Sequence, residues 1–187
     1  MSIYLRCVLV SSFISACQPT ANETAKKVSP GTPTVVKSQP SKGTELVEAY
    51  KEGLTLAIEG LNQASIAPST KATVSKLFKL GREVAELIRR ERLQCEAYLK
   101  TLLARENELL ALSAEAIEAG YHRDGELPNT KEPICHHAKD LVVHPATVLI
   151  LMKQTPPAKR ELMLRELVEL TGHLAEVAAQ LTNKTAN

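Results

Sequence analysis

Cys135, His136, His137 and His144 fall within one short stretch, ICHHAKDLVVHPA, and together form the chain's one cluster of soft and borderline metal donors. Thiolate and imidazole ligands suit zinc or copper. Neighbouring residues on a helix point in different directions, but His137, Asp140 and His144 share a face if the turn continues to Pro145. The stretch completes no recognised ligand spacing, and no Glu-x-x-His occurs anywhere in the chain. The expected state of these histidines is therefore a plain polar helix face, with no metal or other cofactor. A metal- or small-ligand-binding protein using Cys135, His136, His137 and His144 stands as the alternative.

The other cysteines bear on the compartment. Residues 1–17 read MSIYLRCVLVSSFISAC, with one basic residue, Arg6, an apolar-leaning run from Cys7 to Ile14, and the small residues Ser15 and Ala16 before Cys17. That is the layout of a secretory signal with a small-residue cleavage site. The run is far shorter than the ~20 residues that span a bilayer. Ile14-Ser15-Ala16-Cys17 resembles the lipobox of bacterial lipoproteins, and the resemblance covers only the first 20 residues. It implies cleavage after residue 16, lipid on Cys17 and attachment to a membrane. In a diderm bacterium Gln18, by resemblance to sorted lipoproteins, favours the outer membrane. Acyl chains contribute roughly 0.8 kcal/mol per buried CH₂, so two or three anchor a protein durably.

If Cys7 leaves with the signal and Cys17 carries lipid, Cys95 and Cys135 remain, and export invites a disulfide between them. A helix from Cys95 to Gly120 would run ~37 Å, and the segment from Gly120 to Cys135 can reach back ~50 Å when extended. The bridge would take the thiolate of Cys135, so it competes with any metal site using that sulfur.

Residues 18–42, QPTANETAKKVSPGTPTVVKSQPSK, have four prolines, many Ser, Thr and Lys, and no apolar periodicity. Such a segment buries too little apolar surface to offset its ordering entropy. With Cys17 it reads as a tether spanning roughly 25 to 30 Å.

From residue 43 to 187 the pattern has helix period. Val47, Tyr50, Leu54, Ala57 and Leu61 form one stripe, and the helix should end near Ala67-Pro68, with Ser69 or Thr70 capping the next. The second stripe is the longest: Leu77, Leu80, Val84, Ile88, Cys95, Tyr98, Leu102, Leu109, Leu112 and Ala116, with Gly120 suited to a C-cap. Glu91 and Arg105 interrupt it, where a kink or break is expected. Pro145 should split the segment after the 121–133 loop into two helices, the later one, TVLILM, buried. In the last helix Thr155 caps, Pro156 opens, and Met163, Leu167, Leu170, Leu174, Val177 and Leu181 keep a heptad. These elements predict an all-α helical bundle of about four main helices, one of them long.

Composition excludes more than it assigns. The absence of Trp, with two Phe and four Tyr, suits packed amphipathic helices rather than a β-sandwich. A net charge of +2 gives no strong global field, and no nucleic-acid partner is expected. Residues 71–92 carry seven bases and three acids, and 93–120 two bases and five acids, a change of sign that allows self-association or a complementary partner. No glycine-rich phosphate loop, Gly-x-Ser-x-Gly elbow or His-Glu-x-x-His occurs, so no enzyme is expected. The leading expectation is an envelope lipoprotein, anchored by Cys17, whose helical body binds another envelope protein. A cytosolic helical scaffold is the reading if residues 1–16 are no signal.

Overall fold

The structure is a computed structural model that describes residues 39–154 and 159–182. The signal, Cys17 and most of the tether lie outside the described residues, as do Thr155 and Pro156. Among the described residues every regular element is helical.

Helix α1 (Lys42–Asn62) begins one residue earlier than the sequence pattern indicates, because the Ser41 side chain accepts from the Thr44 amide and caps it. Its predicted stripe is the buried one: Val47, Tyr50, Leu54, Ala57 and Leu61 all face the core. Helix α2 (Pro68–Glu91) is not capped by Ser69 or Thr70. Pro68 opens it directly after Ala67, a position where proline's missing N–H has no intrahelical partner to lose.

The long second helix is divided at both interruptions of its stripe. α2 ends at Glu91, a 3₁₀ turn covers Leu93–Cys95, and α3 (Glu96–Ala104) ends against Arg105. One-turn helices α4 (Glu106–Leu109) and α5 (Ala114–Ile117) follow, then a π-helical turn, Glu118–His122. Gly120 lies inside that turn rather than capping a helix. The breaks bring the acidic segment back onto basic α2: Arg82 pairs with Glu106, and Arg89 Nη1 lies 2.6 Å from Glu96 Oε2. Part of the charge asymmetry is thus satisfied within the chain.

Helix α6 (Pro133–Lys153) runs unbroken through Pro145, contrary to the expected split. Proline leaves the carbonyl four residues back, that of Leu141, without its helical donor. The Tyr50 hydroxyl of α1 donates to it instead, at 2.8 Å. Helix α7 (Arg160–Thr182) buries Met163, Leu167, Leu170, Leu174, Val177 and Leu181.

Helices α1, α2, α6 and α7 close into a four-helix bundle, each packed on the next and α7 back on α1. Neighbours run antiparallel: Gly43 meets Leu87 while Gly60 meets Thr70, and Gly81 meets Leu141 while Cys95 meets Cys135. α6 is the most enclosed element, with every residue from Ala138 to Leu151 buried. No helix among the described residues is long and apolar enough to cross a membrane.

Candidate functional site

The enclosure of α6 sets the chemistry, because it takes polar residues into the core with its apolar ones. Lys139, Asp140, His144 and Thr147 are buried along it, and Glu166 is buried on α7. A buried charge is costly unless paired and hydrogen-bonded, so each of these needs a partner. The partners are one another.

Two antiparallel helices supply most of the centre. On α6, His137 and His144 stand seven residues apart, and on α7 Glu166 and His173 do the same. The registers match in opposite directions. His144 Nδ1 lies 2.8 Å from Glu166 Oε2, and one heptad along, His137 Nδ1 lies 2.9 Å from His173 Nδ1. Asp140 sits between these rungs, its Oδ2 at 3.3 Å from His173 Nδ1 and its Oδ1 at 3.1 Å from Lys139 Nζ.

The π-helical turn contributes a third side. It places His122 with Nε2 at 3.3 Å from Glu166 Oε2, its ring edge-on to that of His144 at 4.5 Å between centroids. Lys139 Nζ donates to the His122 carbonyl at 3.0 Å and to Asp124 Oδ1 at 3.0 Å. Asp124 is held in the left-handed region, φ 59°, a conformation aspartate tolerates better than most residues. It also accepts from the Tyr98 hydroxyl at 2.6 Å and lies 3.1 Å from His136 Nδ1. All five histidines of the chain therefore belong to one connected polar system.

Its electrostatics follow from these contacts. Burial alone would raise the Glu166 carboxyl, but hydrogen bonds to His122 and His144 outweigh it and hold the group at about 2. Burial likewise opposes charge on His122, and the hydrogen bond to Glu166 reverses the balance and raises its pKa. Burial lowers His173, against the attraction of Asp140. For Asp124, burial is outweighed by hydrogen bonds from Tyr98 and Lys139, and the carboxyl is lowered. An ionised Glu166 only accepts, so the proton of His144 lies on Nδ1 and the lone pair of the neutral ring on Nε2.

His122, Asp140 and His144 each offer one donor atom, all within 4.8 Å of one another. Among the described residues this is the set that could hold a metal, and it differs from the four residues the sequence singled out. Cys135 is not available, because its sulfur is bonded to that of Cys95, with Cα atoms 5.3 Å apart. His136 turns to Asp124 and Tyr98, and His137 to His173. Only His144 is common to both sets. The α6 face of His137, Asp140 and His144 was legible from spacing; His122, Glu166 and His173 were not, because they come from elements distant in sequence. One signal was present: Glu166 and His173 keep heptad spacing along the border of the α7 apolar stripe.

No protein-family model matches the chain, and no curated protein or solved structure matches it. Function is therefore argued from the site's own chemistry.

Proposed function

We propose that the chain is an exported, membrane-tethered binding protein whose binding site is the histidine and carboxylate centre between the π-helical turn, α6 and α7. The observation that carries this reading is the centre itself: two buried carboxylates, a buried ammonium and a buried imidazole occupy positions where apolar side chains would complete the bundle. Buried ionic networks contribute little net stability compared with well-packed apolar residues of similar size. Locally unfavourable residues gathered in one place mark a working site more often than a structural one.

The compartment is supported by the Cys95–Cys135 disulfide, a bond that persists in oxidising surroundings. It agrees with export through residues 1–16, lipid on Cys17 and a spacer up to residue 40. The notion that the body docks on another envelope protein has no comparable feature behind it, and ligand binding takes precedence.

Two measurements test the proposal. The intact, non-reduced mass of the protein from the membrane fraction of its host should correspond to a chain beginning at an acylated Cys17 with the disulfide formed. A full-length soluble chain would overturn the compartment. For the centre, His122→Leu, His144→Leu and Glu166→Leu combined in one chain, which removes both partners of Glu166 with it, should leave stability at neutral pH unchanged or raise it. A loss of more than about 3 kcal/mol, the scale of a broken buried network, would make the centre structural and end the binding reading.

A further inference from the structure

We propose that the ligand is a single divalent first-row transition-metal ion, held by His122, Asp140 and His144 and oriented by Glu166 and Lys139. The inference rests on the binding reading above and names the chemistry of what is bound.

The donor set argues for this class. Two imidazoles and one carboxylate favour zinc and its neighbours, whereas calcium and magnesium sites are built from oxygen alone. Donors on one zinc ion at ~2.0–2.2 Å stand ~3–3.5 Å apart. The three donor atoms lie within 4.8 Å of one another, so a contraction of at most about 1.3–1.8 Å, shared among three side chains that can rotate, closes them on an ion.

The surroundings do what partners of metal ligands do. Glu166 accepts from His144 Nδ1, which fixes the ring and leaves Nε2 as the donor. Lys139 holds Asp140 through Oδ1, and the same ammonium holds the turn that bears His122 through its carbonyl. Each of the three ligands is thus tied to a second group before any ion arrives.

Charge points the same way. Asp124, Asp140 and Glu166 bring three carboxylates against the single ammonium of Lys139, an excess of two negative charges when the imidazoles are neutral. A divalent ion cancels that excess. The neighbouring group of Asp124, His136 and Tyr98 brings together one carboxylate and one imidazole, short of the three donors that gather at His122, Asp140 and His144. The disulfide removes the sulfur ligand, so the site is one of nitrogen and oxygen.

The full-length chain, stripped with chelator in detergent, is titrated with zinc by calorimetry, and its cobalt(II) form is examined by visible absorption. One ion per chain is expected, with cobalt d–d bands and no thiolate charge-transfer band. His122→Gln, Asp140→Asn and His144→Gln should each weaken zinc by at least ~100-fold, above the 10- to 100-fold range an orienting partner commands. Glu169→Gln, exposed on α7 and outside the centre, should change it less than ~3-fold, and melting curves of every variant identify any that do not fold. Absence of zinc binding, a thiolate band, or binding that survives His144→Gln would overturn the inference. If zinc fails to bind while the chain carrying His122→Leu, His144→Leu and Glu166→Leu keeps its stability, the ion falls and the binding reading stands. If that chain also unfolds, both fall.

Discussion

The hydroxyl of Tyr50, on α1, donates to the carbonyl of Leu141, on α6, at 2.8 Å and wholly inside the core. Leu141 is the residue whose helical donor Pro145 deletes. Burial, and after it the charge of Asp140, holds the Tyr50 phenol well above its ordinary pKa, so the hydroxyl keeps its proton and remains a donor. A tertiary hydrogen bond thus replaces a helical one. The continuity of α6 that results puts Asp140 and His144 on a single rigid face.

Tyr50→Phe removes the donor while keeping the ring. It should cost about 1–3 kcal/mol, the penalty of a buried carbonyl left without a partner. Pro145→Ala restores a backbone N–H to Leu141, so in the Tyr50→Phe background it should recover part of the loss. Denaturant unfolding of the two single variants and the double variant measures the coupling, and simple additivity would show that the two sites are independent.

The same pair explains what could and could not be read from the sequence. The stripes of α1, α2 and α7 were legible because each helix buries one face, and the breaks at Glu91 and Arg105 were legible as polar intrusions in a stripe. The unbroken path through Pro145 was not, because it depends on a hydroxyl 91 residues away. The candidate site divides in the same manner: spacing placed Asp140 and His144 on one face, but only the antiparallel register of α6 and α7 brings Glu166 to His144. His122 depends on a π-helical turn that leaves no pattern in sequence.

Gly81 marks where α2 approaches α6. A Cβ there would stand 2.0 Å from the Leu141 carbonyl oxygen, and backbone cannot rotate aside as a side chain can. Gly81→Ala should push the helices apart and cost ~3 kcal/mol or more, at or beyond the upper end for overpacking. Gly172 on α7 offers the control, since a Cβ there meets nothing within 4 Å. Gly172→Ala should stabilise by ~0.5–1 kcal/mol through helix propensity alone. Thermal midpoints that move together would refute this account of the α2 and α6 approach.

The Cys95–Cys135 bond closes a loop with a sequence separation of 40 residues. In the chain-entropy model a loop of that length contributes about 4 kcal/mol by restricting the unfolded chain. Cys95→Ser with Cys135→Ser should lower the unfolding free energy by roughly that amount, and reductant should do the same to the native chain once it unfolds. An unchanged midpoint under both conditions would show that the bridge adds no stability.

Proton and metal compete for one centre, and pH separates their effects. His122 has a folded pKa above its ordinary 6.5, so its contribution is fully present below 6.5 and is lost as pH rises through the raised value. Glu166 has a folded pKa of about 2 against an ordinary 4.5, so its contribution is present above 4.5 and is lost as pH falls toward 2. With chelator present, this pair should therefore stabilise the bundle most between pH 4.5 and 6.5. Above that window the imidazolium gives up its proton and the carboxylates lose their counter-charge. Zinc does the opposite: it needs the neutral ring, so its affinity should rise as pH rises through the His122 value. Melting curves across pH, with chelator and with zinc, should cross, the proton favouring the acid side and the metal the alkaline side. Parallel curves would mean that zinc and the His122 proton do not share a site.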